Sequence, residues 1–195
     1  MKTSHTKQFR SFIRAALLCA GLWLSLASVS VAQAVNDQAL YLAPDLAPNL
    51  PSPLCDSLEA PPGNRLAFYV YAVGVQIYRW NGTGWTFVEP VATLYADPNY
   101  HVKVGVHYGG PTWEANNGGK VVAARVASCS PDPTAIPWLL LQATSTEGPG
   151  VLNSVSYIQR VNTKGGLAPT APGSTTGVVA EVPYTTEYYF YRAKN

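Results

Sequence analysis

Short segments with alternating hydrophobic and polar positions fill the chain from Arg65 onward. They are rich in Val, Ile, Tyr, Phe, Trp and Thr and are separated by Gly, Pro, Asn and Asp, a pattern typical of strands joined by turns. The pattern predicts a mainly β single domain of about seven to nine strands, folded as a β-sandwich or as a closed or partly closed β-barrel. The predicted strands are residues 66–73, 75–80, 85–88, 92–95, 101–108, 120–127, 138–144, 155–161 and 184–193.

The clearest local element lies between Trp80 and Trp85. The residues between them are Asn81-Gly82-Thr83-Gly84, and Asn-Gly tolerates the positive φ angles of a tight turn. We therefore expect a β-hairpin whose two tryptophans face each other across the strands.

Two later segments allow more than one interpretation. Residues 151–164 contain no Gly or Pro and are rich in β-branched residues, but Val151, Val155 and Ile158 also keep helical spacing. Residues 165–177 are rich in Gly, Pro and Thr and are expected to form a long surface loop, either a lid or a connection without a function of its own.

The first 34 residues have a different character. A positive region with four Lys and Arg precedes an uncharged apolar run, residues 15–31, which ends at Ala32-Gln33-Ala34. This order predicts a cleavable secretory signal peptide rather than a membrane helix, with cleavage after Ala34. We therefore expect the protein to be secreted or periplasmic.

A proline-rich segment follows the predicted signal peptide. Residues 35–64 contain six prolines and show no regular hydrophobic period. Proline cannot donate a backbone hydrogen bond, so this segment cannot supply a full strand ladder. The sequence therefore predicts an extended arm, residues 35–64, before a β domain, residues 65–195.

The charge of the chain limits its expected partners. Removal of residues 1–34 takes away four of the 13 Lys and Arg and none of the 11 Asp and Glu. A nearly neutral chain lacks the basic surface with which proteins neutralise nucleic-acid phosphates, so no nucleic acid is expected as a partner. No second long apolar span follows, so no transmembrane segment is expected after cleavage. The chain has no P-loop and no G-x-G-x-x-G after a strand, and no cofactor is expected.

Two cysteines remain after the predicted signal peptide, Cys55 and Cys129. In an oxidising compartment they most simply form one disulfide, which would tie the arm to the β domain. A reactive or metal-binding pair is the less favoured alternative, because neither cysteine lies in a C-x-x-C motif.

Longer motifs carry a family resemblance. They are AVGVQIYRW from Ala72, TLYAD from Thr93, HYGGPTWE from His107, PDPTAIPWLLL from Pro131, STEGPG from Ser145, IQRVNTKGGLAP from Ile158 and EYYFYRA from Glu187. In these motifs, from about Pro61 to Ala193, the chain resembles a family of secreted bacterial and fungal proteins catalogued only as a domain of unknown function. The resemblance implies no activity and no catalytic residue.

The segment from His107 to Glu114 is the first candidate for a site. It places an imidazole, two aromatic rings and a carboxylate around Gly109-Gly110-Pro111. His107 and Glu114 are candidate catalytic groups, and Tyr108 and Trp113 are candidate ligand contacts. The favoured alternative is structural: the glycines and proline form a turn, Trp113 fills the core, and Glu114 is a solvated charge.

Glu147 and Arg160 are the two other candidates. Glu147 could act with Glu114 in glycoside hydrolysis if their carboxyl groups lie roughly 5 to 9.5 Å apart. Arg160 is a charged residue in an apolar segment, and its guanidinium is suited to binding a carboxylate or phosphate. The plainer alternative is that Arg160 pairs with an internal acid, Glu181 or Glu187.

No metal site is expected. His101 and His107 are the only histidines after the predicted signal peptide. On one straight strand they would lie roughly 20 Å apart, too far to share a metal ion. No HxH or HExxH spacing is present.

Three functions remain open. The first is a non-catalytic secreted or periplasmic domain that binds a small molecule, a carbohydrate or another envelope component, because its aromatic residues and loops suit binding better than its few acid and base groups suit catalysis. The second is a hydrolase of an extracellular polymer or ester that uses His107, Glu114 and Glu147. The third is a structural or stress-related envelope protein. An exposed aromatic groove would favour the first, and a cleft that joins those three residues would favour the second.

Overall fold

The computed structural model describes residues 47–194. The predicted signal peptide, residues 1–34, and the first part of the predicted arm, residues 35–46, lie outside the described residues. The strands are β1 (Asn64–Trp80), β2 (Trp85–Tyr95), β3 (Lys103–Tyr108), β4 (Thr112–Ala115), β5 (Lys120–Cys129), β6 (Trp138–Glu147), β7 (Val155–Gly165) and β8 (Val179–Ala193). Two short 3₁₀ helices accompany them, Asp56–Leu58 and Val151–Ser154.

The eight strands form one antiparallel sheet that closes into a barrel. Each strand pairs with the next one along the chain, and β8 returns to pair with β1. That last pairing runs from Asn64 opposite Ala193 to Arg79 opposite Val179. The predicted mainly β fold is confirmed, and the barrel is the correct one of the two predicted architectures. An eight-stranded barrel is just wide enough for its interior to be filled by side chains or to hold a small ligand.

The strands differ from the prediction at two glycine or proline positions. β1 continues through Gly74, which pairs with Ala92 of β2; a Cβ at Gly74 would collide with the backbone of Val91 and Ala92. β2 continues through Pro90, which pairs with Gln76. Gly and Pro were expected to end strands at these points. At Gly74 the absence of a side chain instead allows the close approach of two long strands.

A short strand, β4, is missing from the prediction. It has only four residues and lies between the turn at Gly109–Pro111 and a second turn before β5. The predicted Gly-Gly-Pro turn is therefore present as the β3–β4 connection. Conversely, His101 was expected in a strand but precedes β3, which begins at Lys103.

The barrel interior holds the main hydrophobic core. Side chains alternate along β8, so Tyr188 and Phe190 point inward and Tyr189 and Tyr191 point outward. Phe190 stacks on Phe68 of β1 with 4.6 Å between ring centroids. Both pairs are buried, the first inside the barrel and the second on its outer face.

A second core lies outside the barrel beneath the arm. The predicted disulfide between Cys55 and Cys129 is present, and Leu58 beside it is fully buried. Gln159 of β7 joins the two layers, because its Nε2 donates to the Leu58 carbonyl at 2.6 Å and its Oε1 accepts from the Tyr191 hydroxyl at 2.6 Å. The arm therefore covers apolar side chains that would otherwise face solvent.

The predicted hairpin and the loop after β7 are linked. Trp80 and Trp85 face each other with 5.5 Å between centroids, as expected. The Trp85 Nε1 donates to the Ala171 carbonyl at 2.9 Å, and the backbone of Trp80 exchanges hydrogen bonds with Gly177 and Val178. This loop is thus held against the hairpin by defined contacts.

Residues 151–164, which allowed a helix or a strand, form a short 3₁₀ helix followed by β7. Within residues 47–194, no helix has the length and apolar character needed to cross a membrane.

Loss of the disulfide should weaken the attachment of the arm. We expect the double variant Cys55→Ala/Cys129→Ala to lower the free energy of unfolding by roughly 2 to 4 kcal/mol, because a bond between residues 74 positions apart restricts the unfolded chain. Urea unfolding followed by tryptophan fluorescence measures this difference. Dithiothreitol should destabilise the parent to the same extent and leave the variant unchanged; an unchanged midpoint for the reduced parent would contradict the prediction.

Candidate functional site

An open groove of about 540 Å³ lies on the outer face of the barrel. Its base is formed by β1, β7 and β8, and its rim is formed by the β2–β3 and β5–β6 connections and by the arm at Pro51. The side chains that give it chemical character are Tyr71, Tyr100, Asp132, Trp138, Asn162, Lys164 and Glu187. We call this feature the outer groove.

Aromatic neighbours fix the rings beside the outer groove. Tyr71 packs edge-on against Tyr69 at 5.6 Å, and Tyr69 stacks on Tyr189 at 5.1 Å. Tyr100 packs edge-on against Tyr95 at 5.5 Å and keeps 40% of its surface exposed. Burial and the nearby Tyr69 hydroxyl raise the pKa of Tyr71 above its usual range. Its hydroxyl therefore stays protonated and able to donate.

The polar side chains of the outer groove carry both signs of charge. The Glu187 Oε2 accepts hydrogen bonds from the Tyr189 hydroxyl at 2.8 Å and from Asn162 Nδ2 at 3.0 Å. Lys164 is exposed nearby. On the rim, hydrogen bonds from Thr134 lower the pKa of Asp132. The groove thus offers donors and acceptors without a strong excess of either charge.

Unusual backbone conformations occur in the same groove. Among the described residues, Tyr100 and Asn162 are the two non-glycine residues with positive φ, at 60° and 52°, and both line the groove. Asn tolerates this conformation, whereas a tyrosine there costs about 1 to 2 kcal/mol. The Asp97 carboxylate holds the strained connection by accepting from the backbone N–H groups of residues 99, 101 and 102. Such strain is concentrated at functional positions in proteins.

A second cluster of polar and aromatic side chains lies inside the barrel. His107 stacks on Trp113 with 4.2 Å between centroids, and Tyr188 packs edge-on against both rings. The His107 Nδ1 bonds to the Thr112 carbonyl at 2.8 Å, which assigns the proton to Nδ1 in the neutral ring. Arg160 also faces the interior and acts electrostatically on Tyr188 and His107. Three candidates from the sequence, His107, Trp113 and Arg160, are therefore brought together here.

The other candidates lie on the outer face of the sheet. The Tyr108 hydroxyl donates to Glu114 Oε2 at 2.9 Å, and Lys120 Nζ lies 3.4 Å from the same oxygen. Lys120 pairs in register with both Glu114 and Glu147. The segment His107 to Glu114 is thus divided: alternation along β3 and β4 sends His107 and Trp113 inward and Tyr108 and Glu114 outward.

Two further expectations about these residues are corrected by the structure. Arg160 does not pair with Glu187, because Arg160 faces the interior and the Glu187 carboxylate is held outside by Asn162 and Tyr189. His101 does not share a strand face with His107, because it is an exposed loop residue 3.8 Å from Asp97. In residues 47–194, no cluster of three or more His, Cys, Asp or Glu has an arrangement suited to a metal ion.

Sequence reasoning missed the outer groove. Tyr71 and Glu187 are 116 positions apart and become neighbours only through the β1–β8 pairing. The sequence predicts the last strand, residues 184–193, and its motif EYYFYRA is rich in aromatic residues, but the neighbours of this strand on β1 could not be assigned without knowing that the sheet closes. Asn162 offered a weak signal, because it is a turn-forming residue within a segment of strand formers.

The family model described as "Protein of unknown function (DUF3455)" matches residues 61–192. This match confirms that the sequence motifs belong to a domain of unknown function. The matched region contains all of β1 to β7, nearly all of β8, and Cys129. Cys55 precedes this region. Neither a curated protein nor a solved structure matches the chain.

The buried His107 makes stability depend on pH. Burial, reinforced by the Arg160 charge and opposed by the Thr112 hydrogen bond, lowers the pKa of His107 to about 3. In the unfolded chain His107 binds a proton near pH 6.5. The stability that its neutral form contributes is therefore fully present above that pH and is lost as the pH falls toward 3. We expect the parent to lose about 1 kcal/mol through His107 between pH 6 and pH 5.

The variant His107→Gln should show a smaller pH slope over this interval, and His101→Gln, which removes an exposed imidazole, should keep the parent slope. Urea unfolding at several pH values measures both slopes. Equal slopes for the parent and His107→Gln would show that His107 is not held neutral.

Proposed function

The chain belongs to the DUF3455 family of proteins of unknown function, which brings no assigned activity, and we propose that it is a non-catalytic carbohydrate-binding domain that acts in the periplasm or outside the cell. The ligand is a neutral glycan, and its site is the outer groove. The observation that carries this proposal is the coincidence of exposed aromatic surface, mixed polar groups and both left-handed non-glycine residues in one open groove.

The chemistry of the outer groove suits a sugar chain. The C–H faces of sugar rings pack on aromatic rings. Tyr71 and Tyr100 provide aromatic surface here, above the largely buried Trp138. Sugar hydroxyl groups both donate and accept, so they match a mixture of amide, carboxylate and ammonium groups such as Asn162, Glu187 and Lys164. The groove is open to solvent rather than enclosed, which suits part of a polymer better than a fully buried small molecule.

The hydrolase alternative receives less support. Its proposed catalytic groups, His107 and Glu114, lie on opposite faces of the sheet, and Glu114 is engaged by Tyr108 and Lys120. Burial and the consequent low pKa of His107 leave its ring neutral inside the barrel. The third possibility, a structural envelope protein, predicts no glycan binding. A measurement of glycan binding therefore distinguishes it from the proposal.

Removal of an aromatic ring from the groove should weaken glycan binding. We expect Tyr100→Ala to reduce the affinity about tenfold, because it deletes an exposed aromatic ring from the groove, and a tenfold change corresponds to about 1.4 kcal/mol. Affinity electrophoresis in gels containing neutral polysaccharides identifies a ligand, and isothermal titration with its oligosaccharides gives the affinity.

The matched control is Phe87→Ala. Phe87 is an exposed aromatic residue on β2, with 49% of its surface accessible, and it does not line the outer groove. It should bind like the parent. The proposal would be contradicted if both variants bound the glycan equally weakly, or if no polysaccharide slowed the migration of the parent protein. Either result would favour the structural alternative.

A further inference from the structure

Two arginines lie directly opposite each other at one end of the β1–β8 ladder. Arg65 of β1 pairs in register with Arg192 of β8, and such residues have their side chains on the same face, with Cβ atoms about 4.5 to 5.5 Å apart. On its other side Arg192 pairs with Val155 of β7, which is apolar and buried. Like charges directly opposite each other destabilise a sheet. We call Arg65 and Arg192 the arginine pair.

Within residues 47–194, no carboxylate neutralises the arginine pair. The ion pairs in this part of the chain lie elsewhere: His101 with Asp97 and Lys120 with Glu114. The Arg192 Nε is buried and has no hydrogen-bond partner among the described residues. A buried donor without a partner is unfavourable, and more so when it belongs to a charged group. The arginine pair thus keeps both its charge and its N–H groups available for a ligand from outside the chain.

The arginine pair lies at the rim of the barrel, outside the packed core. Alternation along β8 places Arg192 on the same side of the sheet as Phe190, which faces the interior. β8 ends at Ala193, one residue beyond Arg192. Arg192 is half-buried and Arg65 is exposed. An anion can therefore reach both guanidinium groups from solvent and needs no enclosed cavity.

We propose that Arg65 and Arg192 together bind a phosphate group at the rim of the barrel. The planar fork of a guanidinium matches two oxygens of a phosphate and donates to them in parallel. Two guanidinium groups side by side on one face can contact different oxygens of the same phosphate. The bound anion removes the repulsion between the two arginines and supplies an acceptor at Arg192. Neither arginine lines the outer groove, so this site does not depend on glycan binding.

The number of charges favours a phosphate over a carboxylate. Near pH 7.5 a phosphate group carries about 1.5 to 2 negative charges, so it balances both arginines, whereas a carboxylate balances only one. Lys194 adds a third cation at this end of the ladder: it is exposed, and its backbone N–H donates to the Gly63 carbonyl at 2.8 Å. The phosphate is either the free ion or a monoester on a larger molecule, and the arginine pair contacts the oxygens that both forms share.

The experiment is thermal unfolding of the purified protein at about pH 7.5 in sodium phosphate, compared with sodium chloride at equal ionic strength. Ligands that bind the folded state raise its stability by mass action, and we expect a saturable rise in Tm of about 2 to 4 °C. Glycerol 3-phosphate identifies the source: a response to it assigns a monoester, and a response to inorganic phosphate alone assigns the free ion. Identical Tm values in chloride and in both phosphates would overturn the proposal.

Phosphate also stabilises proteins without binding, because it is excluded from their surface, so three variants separate the two effects. Arg192→Gln should lose the saturable response. Arg79→Gln, which changes an exposed arginine at the opposite end of β1, should retain it.

If Arg192→Gln does not fold, Arg65→Glu decides. It places a carboxylate opposite Arg192, so in chloride at low ionic strength its Tm should exceed that of the parent, while its phosphate response should be lost. A merely structural role of Arg65 would not move these two readouts in opposite directions. A parent-like phosphate response in Arg65→Glu, or an equal loss of the response in Arg79→Gln, would overturn the site.

Discussion

The pairing of β8 with β1 is the constraint on which both candidate sites depend. These are the two longest strands, and their ladder extends from one end of the barrel to the other. On the outside it places Tyr71 beside Glu187; on the inside it places Val70 beside Tyr188. Without this ladder the sheet would have two open edges, the outer groove would lose its base, and the interior would be open to water.

Side-chain alternation then decides which chemistry is possible. Neighbouring residues in a strand face opposite sides of the sheet, so the compact cluster of reactive residue types from His107 to Glu114 is divided between the core and the surface. Residues far apart in sequence are joined instead: Trp113 of β4, Arg160 of β7 and Tyr188 of β8 share the interior. Proximity along a strand is therefore a poor guide to a shared site in this fold.

The sequence was sufficient for features that depend on local chemistry. Asn81-Gly82 and its flanking tryptophans predicted the hairpin, and the two cysteines predicted the disulfide. Closure of the barrel was not predictable, because the hydrophobic period is the same in a sandwich and a barrel. β4 was missed because four residues between two turns give too short a pattern. The outer groove was missed because its members meet only after closure.

The arm adds a second core to the domain, and it also constrains the order in which the parts of the domain can fold. Cys55 precedes Cys129 by 74 positions, and Leu58 and Gln159, which bond across the two layers, are separated by 101 positions. A chain that emerges from its N-terminal end must therefore present the arm long before its docking surface on β5 to β8 exists. Contacts of such long range form late and slowly. Until β7 and β8 arrive, Leu58 has no layer to cover, so the apolar side of the arm is a surface that the cell has to protect from other chains.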